Sequence, residues 1–262
     1  MSLQMSCTFL ISSIIILLCL ASSVQSQNPS ISKRIVGGND TGIRNYPSYC
    51  TLLYMNIPVC GCALLSSTTA VTSASCLFMY DQSVLRIQVG SAIPGDGGNY
   101  AIRRSCVHPQ FNFQNPFGFP DYDAAKVVID VWQVTGWGSV ISAIALRSMN
   151  YDVPTGKTAI VVGFGTKGWG GPRNQVLQAL DMPRIRDIDC AKVYPNLTDR
   201  MACFGYPEGG KDACGASGSP LYYERALVGV DSFSRGCAFP NTPRVFTRIW
   251  NEDIHSFLTS SC

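Results

Sequence analysis

Histidine is almost missing from this sequence, which holds only His108 and His255. Chemistry that needs an imidazole near neutral pH, as general base or zinc ligand, can draw on no others. Charge is also scarce: Asp, Glu, Lys and Arg make up 14% of the chain, with a net of +3. The basic residues are scattered rather than clustered, so neither nucleic acid nor an anionic membrane surface is indicated as partner. Long apolar runs are missing beyond the amino-terminal region, and no later segment is expected to span a bilayer. Paired zinc knuckles are missing as well. Cys60-Gly61-Cys62 has one residue between its cysteines instead of two, and no second pair follows. No metal or other cofactor is expected.

What is present begins with an apolar run from Phe9 to Leu20 followed by Ala-Ser-Ser-Val-Gln-Ser. The run is too short for a spanning helix and reads as a secretory signal peptide over residues 1–26. Ten of the twelve cysteines lie beyond it. An even number in an exported chain points to disulfides and to a secreted, extracellular protein. Residues 27–34 form a short polar stretch ending Ser-Lys-Arg, a propeptide cut between Arg34 and Ile35. Beyond it, short β-rich runs at Ser48–Met55, Ala63–Leu65, Ala70–Thr72 and Val84–Val89 are broken by Gly, Pro, Asn and Ser, the signature of antiparallel all-β structure. Thr158–Gly165 and Val176–Pro183 continue it, Asp187–Tyr194 reads as a short helix, and a C-terminal helix is expected at about 250–259. Asn39-Asp40-Thr41 and Asn196-Leu197-Thr198 are N-glycosylation sequons.

Four stretches carry a resemblance. Gly209-Gly210-Lys211-Asp212-Ala213-Cys214-Gly215-Ala216-Ser217-Gly218-Ser219-Pro220-Leu221 resembles the nucleophile loop of trypsin/chymotrypsin-like serine proteases, Gly-Lys-Asp-Ser-Cys-Gln-Gly-Asp-Ser-Gly-Gly-Pro-Leu. The match puts Ser217 at the nucleophile. Cys60-Gly61-Cys62-Ala63-Leu64-Leu65-Ser66, leading to Ala70-Val71-Thr72-Ser73-Ala74-Ser75-Cys76, is similar to the family's Cys-Gly-Gly-Ser-Leu-Ile-Ser and Val-Val-Thr-Ala-Ala-His-Cys. Here Ser75 stands where the catalytic histidine would. Asp121-Tyr122-Asp123-Ala124-Ala125 resembles Asn-x-Asp-Ile-Ala, making Asp123 the counterpart of the triad acid, with Asp121 read as turn chemistry. Ile35-Val36-Gly37-Gly38 resembles the new amino terminus that a trypsin-like activating protease releases, here by cutting after Arg34.

The resemblance implies an all-β fold of two antiparallel six-stranded β-barrels, roughly 35–150 and 151–248, within a domain spanning 35–262 and ending in the short helix. It also implies disulfides Cys60–Cys76, Cys190–Cys203 and Cys214–Cys237. Cys50, Cys62, Cys106 and Cys262 remain and allow three pairings. Cys50 and Cys62 sit on consecutive strands, and Cys106 precedes a loop near where the terminal helix packs, which favours Cys50–Cys62 with Cys106–Cys262.

The departures are chemical. A serine hydroxyl is no base near neutral pH, so Ser75 cannot do the work of a histidine. Only Gly215 and Ala216 separate Cys214 from Ser217, one residue fewer than in the family, and the aspartate that pairs with the released amine is missing. Asp212 matches the acid at the floor of trypsin-like pockets. The walls differ: Asp231 and Ser234 replace small residues, and Arg244 stands where a glycine leaves room for substrate. Arg244 is expected to fill the pocket and pair with Asp212 and Asp231. The expected function is a secreted, proteolytically inactive homologue that binds another extracellular protein. The alternatives are a trypsin-like endopeptidase that uses Ser217 with an unconventional base, and a stable extracellular scaffold.

Overall fold

The computed structural model describes residues 35–113, 118–129, 138, 140–149 and 151–262. The expected signal peptide, the propeptide and Arg34 lie outside these residues. Strands β1 (Asn39–Asp40), β2 (Tyr49–Tyr54), β3 (Ile57–Leu64), β4 (Thr69–Thr72), β5 (Leu85–Val89), β6 (Gly98–Val107) and β7 (Ala125–Ile129) come first. They are followed by β8 (Ala145–Leu146), β9 (Thr158–Gly163), β10 (Gln178–Pro183), β11 (Met201–Phe204), β12 (Pro220–Tyr223), β13 (Ala226–Phe233) and β14 (Arg244–Arg248). Helices α1 (Ala74–Phe78), α2 (Asp187–Val193) and α3 (Glu252–Thr259) complete the described elements.

Six strands close into a barrel in the order β2-β3-β4-β7-β6-β5. Its interior is apolar, with Leu52, Leu64, Leu85, Ile87, Val127 and Ile129 all buried. Burying each such side chain contributes roughly 1.5–3 kcal/mol. Cys50 faces Cys62 across the β2–β3 ladder, and the two are joined. Strand β3 is longer than the apolar run at 63–65 implies. Pro58 and Gly61 interrupt the sequence pattern but not the pairing, which shifts register between Leu52 and Leu53.

The expectation of a second six-stranded barrel is overturned. The remaining strands form an open eight-stranded sheet, ordered β1-β10-β9-β12-β13-β14-β11, with β8 paired in parallel to β13. Closure would need a ladder between β10 and β11; beyond the end of β10 the two meet at a single bridge, Arg184 to Phe204, with the Ile185 N–H donating to the Cys203 carbonyl (2.8 Å) and the Gly205 N–H to the Pro183 carbonyl (3.0 Å). Two features account for this. Pro183 ends β10 without an N–H to donate, and β1 occupies part of the outer edge of β10, at Ala179 and Gln178.

A third apolar cluster packs the two sheets together and includes Tyr49, Val71, Val162, Phe164, Leu177, Tyr222, Leu227 and, from α3, Ile254 and Leu258. Helix α3 is capped by Asn251, whose side chain accepts from the N–H groups of Asp253 and Ile254. At its other end the buried Lys126 donates from Nζ to the carbonyls of Phe257 (2.6 Å) and Ser260 (2.8 Å). These satisfy carbonyls that a helix end leaves unpaired. Cys106–Cys262 then staples the segment to β6. Among the described residues no helix is long and apolar enough to cross a membrane.

Candidate functional site

Helix α1 presents Ser75 and the turn before β7 presents Asp123, and the two meet. The Ser75 N–H donates to Asp123 Oδ1 at 2.7 Å and its hydroxyl lies 3.0 Å from Oδ2. Ser232 on β13 donates to the same Oδ2 at 2.5 Å. The carboxylate is buried and surrounded by hydroxyl and amide donors. Burial pushes its pKa above the ordinary range, and the bonds from Ser232 and Ser75 act against that rise. Sequence reasoning missed Ser232, although it stands one position after Asp231.

Ser217 sits on the loop between Cys214 and β12. Its carbonyl accepts from the Gly61 N–H at 2.8 Å, seating the loop against β3. Gly218 must be glycine. Its φ is +75°, and a Cβ there would meet Thr72 Oγ1 at 2.4 Å and the Gly61 carbonyl at 2.6 Å. The Ser217 hydroxyl has no hydrogen-bond partner among the described residues. No imidazole lines the cleft around it. His108 is buried against Tyr122 and Phe257, at ring distances of 4.7 and 4.8 Å. Burial lowers its pKa. His255 lies on α3.

Arg173, also unforeseen, ties the shortened loop to the other sheet. Its Nη1 donates to the Gly215 carbonyl at 3.0 Å and its Nη2 to the Val59 carbonyl at 3.3 Å. No motif marks this residue, because its partners are backbone atoms.

Below the cleft, of about 370 Å³, lies a buried charged cluster. Arg244 Nε donates to Asp212 Oδ1 at 2.7 Å and Nη2 to Asp212 Oδ2 at 3.2 Å. Nη1 reaches both oxygens of Asp231, at 3.1 and 3.2 Å, and Nη2 also donates to Ser234 Oγ at 3.0 Å. All three charged residues are buried: Arg244 is 5% exposed, Asp212 3% and Asp231 0%. Asp212 further accepts from the N–H groups of Ala213 (2.7 Å) and Ala238 (3.0 Å). One guanidinium serves two carboxylates here, so the cluster carries a formal charge of −1. The described residues bring together one trio of potential metal ligands, Asp212, Cys214 and Cys237. Its two sulfurs are joined in a disulfide and its carboxylate is taken by Arg244.

Burial pushes Asp231 from 3.8 up to about 6, against the attraction of Arg244. The folded protein therefore holds this proton more tightly than the unfolded chain. Its stabilising effect is complete below the unfolded value and is lost as pH rises through about 6. A carboxyl-carbon NMR titration is expected to place the Asp231 midpoint near 6. A midpoint under the ordinary value would mean that Arg244 outweighs burial.

Ile35 is fully buried, in a cluster with Ala213 and Ala216. The Val36 carbonyl accepts from the Asp212 N–H at 3.0 Å. Ala216 occupies the place before Ser217, so the docking surface for Ile35 is apolar. The disulfides Cys60–Cys76, Cys190–Cys203 and Cys214–Cys237 stand beside Cys50–Cys62 and Cys106–Cys262. Asn39 and Asn196 are both exposed.

The trypsin family model matches residues 35–253. The chain belongs to the trypsin family. Among its relatives, a vitellin-degrading protease of Bombyx mori is 36% identical over 221 residues, covering 82% of this chain and 81% of that protein. Trypsin 5G1 of Aedes aegypti is 30% identical over 224 residues, 83% of this chain and 82% of its own length. The alkaline trypsin A of Manduca sexta is 28% identical over 245 residues, 89% and 93% of the two chains. Within this trypsin fold, the cleft is lined by Ser217, Ser232 and Arg244, and Ser232 connects it to the buried Asp123, which also accepts from Ser75.

Proposed function

We propose that this trypsin-family protein is a secreted, catalytically inactive homologue that acts by binding another extracellular protein. The observation that carries the reading is Ser75 on Asp123. The acid that would orient an imidazole is occupied by two serine hydroxyls, and no base adjoins Ser217. A nucleophilic hydroxyl needs a positioned base to lose its proton near neutral pH. Losing one member of such a triad can cost about a million-fold in turnover. The Arg244 cluster supports the same reading, because the guanidinium fills the space where a substrate side chain would enter. Cutting after Arg34 would release an ammonium at Ile35, whose side chain packs with Ala213 and Ala216; position 216 supplies no carboxylate to pair with it, and a buried unpaired charge is unfavourable.

The test is covalent labelling of the Arg34-cleaved protein with a fluorophosphonate, beside a Ser217→Ala control. Equal, background labelling of both is expected. Labelling of the parent that disappears in the control would revive the alternative, an endopeptidase with an unconventional base. A Ser75→His variant is expected to remain unlabelled too, since the loop from Cys214 to Ser217 would still be one residue short and oxyanion donors tolerate little misplacement.

A further inference from the structure

A second cavity, of about 410 Å³, shares no lining residue with the cleft. Its volume falls in the usual range for small-molecule sites. Its walls are apolar and aromatic, with Ile144 and Ile160 beside Tyr46, Tyr222 and Tyr223. Tyr46 and Tyr222 stack with centroids 5.5 Å apart. The Tyr222 hydroxyl is engaged by Ser48 Oγ at 3.0 Å, so this residue offers a ring face and no spare donor. Tyr46 differs. Burial, then the charge of Asp181, pushes its pKa up and keeps the hydroxyl protonated, and that hydroxyl has no hydrogen-bond partner among the described residues.

The rim is the turn between β12 and β13. Both of its residues take left-handed backbone, Glu224 at φ +46° and Arg225 at φ +60°. Side chains with a Cβ avoid this region, so the turn is held against a local cost. Glu224 is anchored by Arg147 Nη2 at 2.8 Å and the Tyr151 hydroxyl at 3.2 Å. Its charge is thereby compensated. Arg225 lines the cavity, is exposed, and has no hydrogen bond or ion pair among the described residues. The rim therefore offers one uncompensated guanidinium above aromatic walls.

We propose that this cavity binds a small aromatic carboxylate, its ring held among Tyr46, Tyr223 and Ile160 and its carboxylate on Arg225. A guanidinium presents paired donors that match a carboxylate, and the free Tyr46 hydroxyl adds a third. Of the two carboxylates near the cavity, Glu224 on the rim is already paired with Arg147, and Asp181 acts on the Tyr46 side without lining the cavity, so the guanidinium of Arg225 is the charged group the lining presents. The site is independent of Ser217 chemistry, so it stands or falls apart from the inactive-homologue reading.

The experiment titrates the full chain with 3-phenylpropionate and with its uncharged counterpart, 3-phenylpropan-1-ol, by calorimetry and saturation-transfer NMR. Two variants accompany the parent: Arg225→Gln, which removes the charge, and Ala143→Trp, which adds bulk at an exposed position of the lining. Both changes lie on the surface and leave the core intact. The acid is expected to bind the parent at least about tenfold more tightly than the alcohol, the scale of a hydrogen bond to a charged group. Arg225→Gln should erase that difference, and Ala143→Trp should abolish binding of both probes. No saturable binding at millimolar acid, equal binding of acid and alcohol to the parent, or affinities that neither variant moves would each overturn the proposal.

Discussion

An Arg244→Met variant is expected to be about 3–5 kcal/mol less stable than the parent in urea or thermal unfolding, the usual cost of removing one partner of a buried ion pair. Methionine keeps most of the volume and removes the charge. Asp212 and Asp231, 3% and 0% exposed, would then face each other across an apolar chain with no cation between them. Asp231 has little alternative satisfaction among the described side chains, since Arg244 holds both of its oxygens. Adding Asp231→Val should return much of the loss, because an apolar replacement of a buried ionic group is often neutral or stabilising. A second arm addresses the cleft. Arg244→Gly combined with Asp231→Val leaves the Asp212 carboxylate facing open space, and this pair of changes is expected to create benzamidine binding that the parent lacks. A loss below about 1 kcal/mol for Arg244→Met would mean the cluster takes up water and is only weakly coupled. Absence of benzamidine affinity in the double variant would count against Arg244 as the group that fills the pocket.

Replacing Cys106 and Cys262 together by serine is expected to lower stability by up to about 5 kcal/mol, the upper end of the disulfide range. The bridge spans 156 residues, the longest separation of the five. Longer closed loops restrict the unfolded chain more, although the dependence is logarithmic. Guanidinium unfolding of the double variant, under conditions that keep the other bridges oxidised, would measure it. A change under about 1 kcal/mol would show that α3 is held by Lys126, Ile254 and Leu258 alone. Lys126→Met in the same background separates the two contributions, since it removes the donor to Phe257 and Ser260 and leaves the apolar contacts.

Much of the fold was legible because its signals are local. Short β-rich runs bounded by turn residues mark β2, β5 and β9, and the C-terminal helix was expected at about 250–259, where α3 stands. Barrel closure was not legible. Whether β10 meets β11 depends on hydrogen bonds between segments about twenty residues apart in sequence, and the decisive residue, Pro183, also fits an ordinary strand end. Family resemblance predicted a second barrel where this chain has an open edge and an extra pair of short strands. The site divides along the same line. Ser75, Ser217, Asp212 and Arg244 were placed by counting from cysteines, and Asp123 by the Asp-Tyr-Asp-Ala-Ala stretch, which contains none. Ser232 needed knowledge of which residue of β13 lies against the Asp123 carboxylate, a contact between positions 109 apart in sequence. Arg173 acts through the carbonyls of Val59 and Gly215, and atoms common to every residue leave no mark in composition.

The sharing of one guanidinium by two carboxylates also constrains descent. On the inactive-homologue proposal, proteolysis would need a glycine at position 244, yet that change alone strands Asp231 in the interior. A change at 231 alone leaves the pocket filled. Placing a histidine at 75 is expected to confer nothing while the loop before Ser217 stays short. On that proposal, each of these changes made singly is expected to be unfavourable or without effect, so proteolysis lies more than one substitution away.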